Sequence, residues 1–168
     1  MALFDTIAMV EPAAELQAPG LIPGTLLRPA DVLTGAFGAG KLALDIGIAS
    51  PDAQHAGADC LDTMLARKME HYSDHLSTLE RQNITYQPVL FSCYGRPHAR
   101  TTTLLRTLAK RVARRRGCSA GEWRYRRLRA TLGVELWRRA ALMARAAGLE
   151  VVGKRVTGDG RRPKLYPV

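Results

Sequence analysis

The sequence has few aromatic residues, few cysteines and no long apolar run. Aromatic residues make up 6% of the 168 positions, which argues against a base-stacking platform as the main binding device. No apolar run reaches the roughly 18 residues of a membrane span. The three cysteines, Cys60, Cys93 and Cys118, are an odd, scattered set that favours reduced thiols over a disulfide framework. The early acid Asp5 and the lack of a basic n-region argue against a signal peptide, so we expect an intracellular protein with no membrane partner.

Acidic residues are scarce in the second half of the chain. Residues 1–90 carry 5 Lys/Arg and 11 Asp/Glu, a net charge of −6, whereas residues 91–168 carry 20 Lys/Arg and 4 Asp/Glu, a net charge of +16. This asymmetry indicates a polyanionic partner for the second half. The alternative is a basic, solvated surface without a specific partner. Because the arginines cluster instead of alternating with acids, the sequence favours nucleic acid.

The length suits one domain, and a hydrophobic content of 46% suffices for a core. Periodicity and turn residues divide the chain into predicted elements. In chain order these are an irregular Ala/Pro-rich lead-in at 1–22, a hairpin of strands at 25–34 and 41–49, a helix at 55–82, a strand at 84–94, a helix at 99–116, a helix at about 121–147 and a terminal hairpin over 149–168. Pro88 predicts that the third strand lies at a sheet edge or carries a bulge.

The second predicted strand alternates in side-chain size. Leu42, Leu44, Ile46 and Ile48 fall on one face, and the opposite face carries Ala43, Asp45, Gly47 and Ala49. Asp45 therefore projects from a face with little bulk, which a metal ion or a phosphate can approach.

Two aspartates, Asp31 and Asp45, each lie in a short apolar run that predicts a β-strand. Burying a carboxylate is costly unless a partner or a metal compensates, so carboxylates on adjacent strands predict a divalent-metal site, and oxygen ligands suit Mg²⁺ or Mn²⁺. On the following helix, Lys68 would orient a water or stabilise the phosphorane, and Tyr72 lies one turn further on the same face. The alternative is a pair of solvent-facing strand-end carboxylates and a surface lysine.

Three segments occur in an order that is typical of one nuclease family. They are Arg28-Pro29-Ala30-Asp31, Leu44-Asp45-Ile46 and Arg67-Lys68-Met69-Glu70-His71-Tyr72. Over roughly residues 27–145 the chain resembles the restriction-like endonuclease domain of site-specific non-LTR retrotransposons, which belongs to the PD-(D/E)xK nuclease superfamily. The family pattern is (R/K)-P-x-D, a strand ending in Asp, and then a helix carrying K-x-x-x-Y.

The resemblance implies an α/β fold: a restriction-endonuclease-like small mixed sheet of three or four strands, flanked by helices, with a basic helical C-terminal extension. It places the nuclease core at 23–117 and assigns 118–168 to a basic helix plus a terminal hairpin. The stretch from Lys110 to Trp137 resembles the basic tail that follows such domains.

The resemblance also implies roles for individual residues. Asp31 and Asp45 become ligands of Mg²⁺ or Mn²⁺, and Lys68 becomes the catalytic lysine, which has migrated to the helix. Tyr72 takes the conserved helix position among the catalytic residues, and Arg28 takes a supporting one.

The sequence departs from the family pattern at several points. Gly47 stands where the (D/E)xK strand lysine would be, so the catalytic ammonium has to come from Lys68. Pro29 is separated from the aspartate by Ala30. A zinc knuckle upstream of the first aspartate and a reverse transcriptase are both absent from the sequence.

We expect DNA to be held by its phosphate backbone without much reading of sequence. The predicted contacts are Arg28, Lys110, Arg111, Arg114, Arg115, Arg116, Arg124, Arg126 and Arg127. The basic run beginning at Lys110 also suits a nuclear address, and the resemblance adds other parts of a retroelement machinery as partners.

The expected function is metal-dependent hydrolysis of DNA phosphodiesters by an endonuclease. Two alternatives stay open: a nucleic-acid-binding remnant of a retroelement polyprotein without catalysis, and a structural domain whose basic surface serves solubility or assembly.

Gly35 and Gly40-Lys41 have the spacing of a phosphate loop, but the residues after Lys41 alternate as a strand, whereas a phosphate loop must open a helix. A flexible hairpin turn is the favoured interpretation. His71 and His75 are four residues apart without a third ligand at a recognisable spacing, and we expect exposed helix histidines.

Overall fold

The structure is a computed structural model that describes residues 2–38, 40–51, 57–117, 125–135 and 138. Its architecture is mixed α/β: a four-stranded mixed sheet flanked by helices, as expected. The elements are α1 (Ala2–Ala8), β1 (Glu15–Leu16), β2 (Val32–Thr34), β3 (Lys41–Ala49), α2 (Cys60–His71), α3 (Ser73–Arg81), β4 (Ile84–Ser92) and α4 (Ala99–Arg115). Residues 125–135 are also helical.

The strands follow the order β1-β2-β3-β4. β2 pairs antiparallel with β3, which confirms the predicted hairpin, and β3 pairs with β4 in parallel. The connection between the parallel strands contains α2 and α3. β4 lies at the sheet edge, as Pro88 predicted, and Pro88 sits opposite Asp45 in an unbroken register, so it makes no bulge.

The alternation predicted for β3 divides the core into two layers. Leu44 packs with Val32 and Val89 against Leu105 and its neighbours on α4, in a cluster that also includes residues of α1 and of 125–135. The opposite face packs under α2 and α3, where Ala43 joins a cluster with Leu79 and Ala49 a cluster with Leu61. The sheet is therefore covered by helices on both faces, and Asp45 belongs to the face beneath α2 and α3.

The lead-in at 1–22 is not irregular as predicted. Leu3 and Ile7, four residues apart, are buried on one side of α1 and join the cluster under α4. Arg115 Nη1 donates to the carbonyl of Val10 at 2.7 Å, just beyond the end of this helix. β1 pairs with β2 further along the same segment. The Ala/Pro-rich composition after residue 10 concealed the edge strand, and the single buried pair of α1 gave little periodicity.

The predicted helix at 55–82 is two helices. Asp59 caps the N-terminus of α2 by accepting from Leu61 N at 2.8 Å. Tyr72, with φ −106° and ψ 7°, separates α2 from α3. Residues 52–56 lie outside the described residues.

The predicted strand at 25–34 shrinks to Val32–Thr34, and the predicted helix at 99–116 is confirmed as α4. Within the helix predicted at 121–147, residues 125–135 and 138 are helical; the other residues of that range and the predicted hairpin at 149–168 lie outside the described residues. None of the helices in the described ranges combines the length and apolarity that a bilayer crossing requires.

The turn that resembles a phosphate loop leads into a strand. Lys41 begins β3, and its N–H donates to Asn83 O at 3.0 Å. A Cβ on Gly40 would lie 2.8 Å from the same carbonyl oxygen, so the close approach of Asn83 explains the glycine. The interpretation as a hairpin turn is confirmed, because no helix N-terminus follows this glycine.

We predict that Leu105→Ala lowers the free energy of unfolding by about 2–5 kcal/mol, because a buried leucine between helix and sheet leaves a cavity when truncated. Leu26→Ala is the matched control: Leu26 is 99% exposed, and its loss should change the value by less than about 0.5 kcal/mol. Urea unfolding followed by circular dichroism measures both. Equal effects of the two variants would contradict the layered core.

Candidate active site

Asp45 lies at the centre of the candidate site, on the sheet face beneath α2. Lys68 Nζ donates to Asp45 Oδ1 at 2.6 Å, and Tyr86 Oη donates to Asp45 Oδ2 at 2.5 Å. The Asp45 and Lys68 side chains are only 13% and 21% exposed. A carboxylate this far from solvent needs such partners, since an unpaired buried charge is strongly destabilising.

Asp31 approaches Asp45 from the neighbouring strand. Val32 pairs with Leu44 at the end of the antiparallel register, and Asp31 immediately precedes this pair. The charges of Asp31 and Asp45 both raise the pKa of Tyr72 and of Tyr86, so the two carboxylates share this neighbourhood. Asp31 N donates to Leu44 O at 2.8 Å, and Asp31 Oδ2 accepts from Ile46 N at 2.7 Å. The Asp31 side chain thus accepts the backbone N–H that follows Asp45, where a regular strand would accept it with a backbone carbonyl.

The Lys68 side chain occupies the space beside Gly47. A Cβ built on Gly47 would lie 2.8 Å from Lys68 Cε and 3.7 Å from Lys68 Nζ. Gly47 is two residues after Asp45 and faces the same way. The Lys68 side chain therefore fills the space that a side chain at position 47 would occupy, and the bare glycine makes room for it.

Tyr86 is a site residue that the sequence reasoning missed. It pairs with Ala43 in the parallel register, so it shares the sheet face of Asp45. Burial raises the pKa of its phenol, and so do the hydrogen bond to Asp45 and the charge of Asp31. The phenol consequently stays protonated and donates. A tyrosine in an apolar strand indicates that its hydroxyl needs a hydrogen-bond partner when buried. The sequence does not show that this partner is Asp45, because the parallel register between β3 and β4 leaves no local pattern.

Tyr72 holds the backbone next to Asp31. Its hydroxyl donates to the carbonyl of Arg28 at 3.3 Å, and its ring lies 4.9 Å from that of Tyr86. Burial raises the pKa of Tyr72, and the charges of Asp45 and Asp31 raise it further. The tyrosine of K-x-x-x-Y thereby ties helix α2 to the R-P-x-D segment. This geometry suits a positioning residue, and its assignment among the catalytic residues stays a prediction.

The two carboxylates fit a magnesium-type donor set. Within the described ranges, no group of three His, Cys, Asp or Glu side chains is arranged to hold a metal. Mg²⁺ is commonly bound through one or two carboxylates, with waters and substrate phosphates completing the shell. Each oxygen of Asp45 accepts one hydrogen bond here and keeps a second lone pair. An ion held by Asp31 and Asp45 and shared with a phosphate stays a prediction.

The histidines of α2 and α3 stay outside this donor set. The ring of His71 meets Tyr72 edge-on at 4.6 Å, and its side chain is exposed. In the part of the chain that the structure describes, no third ligand joins His71 and His75.

The predicted nucleic-acid contacts on α4 lie in a different layer from Asp45. Lys110, Arg111 and Arg114 are exposed on α4, which packs against the opposite face of the sheet. Arg115 binds the Val10 carbonyl, and Arg116 Nη2 lies 3.4 Å from Met9 Sδ. Arg126 and Arg127 are exposed on the 125–135 helix, and Arg28 is exposed on the segment that leads to Asp31. Arg124 lies outside the described residues.

Comparisons with protein-family models, with curated proteins and with solved structures found no match for this chain. The geometry of the site therefore has to carry the functional conclusion.

We predict that Tyr86→Phe flattens the alkaline stability profile. Above pH 10 a normal phenol ionises in the unfolded chain, while Tyr86 stays protonated in the folded one, so stability falls as the pH rises. Removing this group should make the slope shallower by about 1.4 kcal/mol per pH unit. Urea unfolding from pH 8 to 11.5 measures it, and the two proteins should have equal slopes below pH 9. Equal slopes above pH 10 would contradict the buried, donating phenol.

Proposed function

We propose that this chain is a metal-dependent DNA endonuclease that hydrolyses phosphodiesters in the manner of the retrotransposon nuclease domain it resembles. The observation that supports the proposal is the pairing of Lys68 with Asp45 on the sheet face beneath α2, next to Asp31, whose carboxylate accepts from Ile46 N. These side chains come from the residue before β2, from β3 and from the crossover helix α2. The 2.6 Å pairing of the largely buried Lys68 with Asp45 favours the proposal over the alternative of solvent-facing strand-end carboxylates and a surface lysine.

The order of the elements supports the finer part of the proposal, a restriction-endonuclease-like fold. The family pattern is (R/K)-P-x-D, a strand ending in Asp and then a helix carrying K-x-x-x-Y. Asp45 departs from the strand-end position, because it is the fifth of the nine residues of β3. Here Asp31 precedes β2, Asp45 lies on β3 and Lys68 lies on α2. Gly47 supports the migrated lysine, because its missing side chain leaves the space through which Lys68 reaches Asp45.

Asp31 and Asp45 would hold Mg²⁺ or Mn²⁺. When bound, the ion lowers the pKa of a water and neutralises charge on the phosphate. Lys68 presents its ammonium beside Asp45, where it stabilises charge that develops on the scissile phosphate. Tyr86 fixes the Asp45 carboxylate, and Tyr72 fixes the backbone before Asp31.

A second function, nucleic-acid binding without catalysis, has one observation in its favour. Both oxygens of Asp45 are already paired inside the chain, with Lys68 and Tyr86. If these two hydrogen bonds persist in solution, Asp45 stabilises the fold but does not bind a metal ion, and the site does not catalyse hydrolysis. Binding of DNA without cleavage under every metal condition is the outcome that would select this function.

We predict that the wild-type chain nicks supercoiled plasmid in Mg²⁺ or Mn²⁺ and that EDTA abolishes the nicking. Lys68→Ala should lower the rate by at least about 100-fold, since it removes a preorganised positive charge from the transition state. Asp31→Asn and Asp45→Asn should abolish nicking, because each removes a charged ligand but keeps the size of the side chain.

The matched controls are Asp74→Asn and Lys41→Ala, which alter an exposed acid on α3 and an exposed lysine at the start of β3. Both should nick at the wild-type rate. Nicking that survives in Asp45→Asn, or that falls equally in the controls, would refute hydrolysis at this site.

The overlap of Lys68 with position 47 gives a second prediction. In the Lys68→Ala background, Gly47→Lys should raise nicking by about tenfold, short of the wild-type rate because a displacement near 1 Å costs up to about 100-fold. The matched control is Lys68→Ala with Gly47→Met, which adds similar bulk without an ammonium. The methyl end of Leu90, 2.8 Å from the built Cβ, must shift in both, so circular dichroism should first show equal folding. Equal nicking by the Lys and Met variants would contradict a charge role at this position.

A further inference from the structure

The outer face of α4 is unusually cationic. The helix contains six Lys/Arg and no acid in its 17 residues. Arg106, Lys110 and Arg114 recur every fourth residue and are exposed, so they form one row along the helix at a spacing of about 6 Å. Like charges at this spacing destabilise a helix in water. A polyanion lying along the row would remove that repulsion.

The neighbouring helix extends the same surface. Residues 125–135 pack into the same core cluster as α4 through Tyr125, Leu128 and Leu132. The Arg106 guanidinium lies over the Tyr125 ring at 5.0 Å from its centroid. Arg126, Arg127 and Arg129 are exposed on this helix. The two helices therefore present their cations from one layer of the fold.

This layer is on the far side of the sheet from the candidate active site. α4 packs on the face that carries Leu44, whereas Asp45 faces α2 and α3. A phosphate next to Lys68 and a phosphate next to Lys110 are thus separated by the sheet. The cationic row has to contact a different stretch of backbone from the one that reaches Asp45.

The surface suits nucleic acid better than a membrane. In the part of the chain that the structure describes, the exposed large apolar side chains are Met9, Leu16, Leu26, Ile48, Tyr94 and Val134, and none belongs to α4. A helix that lies in a lipid interface inserts an apolar face between its cations. Phosphate backbones need cations alone, and each contact releases counterions.

We infer that the α4 surface, defined by Arg106, Lys110, Arg111 and Arg114, binds the phosphate backbone of a nucleic-acid segment separate from the segment at the Asp45 site. Only the second half of this statement rests on the proposed function. The surface itself binds whether or not the chain cleaves DNA.

The experiment is fluorescence anisotropy of the full chain with a labelled 40-bp duplex in EDTA, over a series of salt concentrations. The variant Lys110→Gln/Arg111→Gln/Arg114→Gln should weaken binding by about tenfold or more, and the slope of log K against log salt should shrink by about 2.7, at 0.9 per lost phosphate contact. Arg106 is left intact because it packs on Tyr125. The matched control, Lys110→Arg/Arg111→Lys/Arg114→Lys, keeps the charge and should keep both values.

The separation of the two segments is tested by repeating the triple Gln change in the Lys68→Ala background. Independent surfaces give additive effects, so the factor lost should agree within about twofold with that in the wild type. A much smaller factor would mean that Lys68 and α4 hold the same segment and would overturn the separation.

Unchanged affinity and slope in the triple Gln variant would overturn the α4 surface, and so would an equal loss in the charge-preserving control. Tighter binding to phosphatidylserine vesicles than to duplex would overturn it in favour of a lipid surface. Because binding is measured in EDTA, a chain that binds in this way but never nicks plasmid refutes the proposed hydrolysis and leaves the surface standing.

Discussion

The site depends on one constraint, the burial of the Asp45 carboxylate against the sheet. A charge in that place requires donors on both oxygens, and Lys68 and Tyr86 supply them from a helix and from the edge strand. The same requirement constrains the residues next to Lys68 and Asp45. Position 47 has to be small so that the lysine can pass, and the Tyr86 phenol has to stay protonated so that it can donate. Several residues far apart in sequence are thereby tied to one side chain.

The parallel pairing of β3 with β4 explains why a helix can supply the lysine. Parallel neighbours need a crossover connection, and that connection lies on a face of the sheet. Here it consists of α2 and α3, so a side chain on α2 reaches down onto the strand that precedes it. A lysine at position 68 and one at position 47 then approach the same space from opposite sides. The hydrogen bond from Tyr72 to the Arg28 carbonyl ties the crossover to the segment before Asp31.

Local patterns predicted the parts of the structure that depend on alternation and spacing. The face of Asp45, the hairpin of β2 with β3, the edge position of Pro88 and α4 all follow from them. Patterns within single elements hold no information on register between distant strands, which is why Tyr86 was missed. They also do not specify which face of the sheet a helix covers, so the α4 cations were not expected behind the sheet. The short helix α1 was hidden because a single pair of buried residues, Leu3 and Ile7, gives little periodicity.

The division of charge between the two layers has an electrostatic consequence for the candidate site. Asp31 and Asp45 with Lys68 leave a formal charge of −1, a sign that the proposed divalent cation requires. If the guanidinium groups of α4 faced the same side, they would pair with the carboxylates and compete with the ion. The sheet keeps them apart, and at physiological salt exposed charges beyond about 8 Å are largely screened. The proposed metal site and the proposed phosphate-binding surface therefore lie on opposite faces of the sheet and do not compete for each other's charges, within a chain whose net charge is +10.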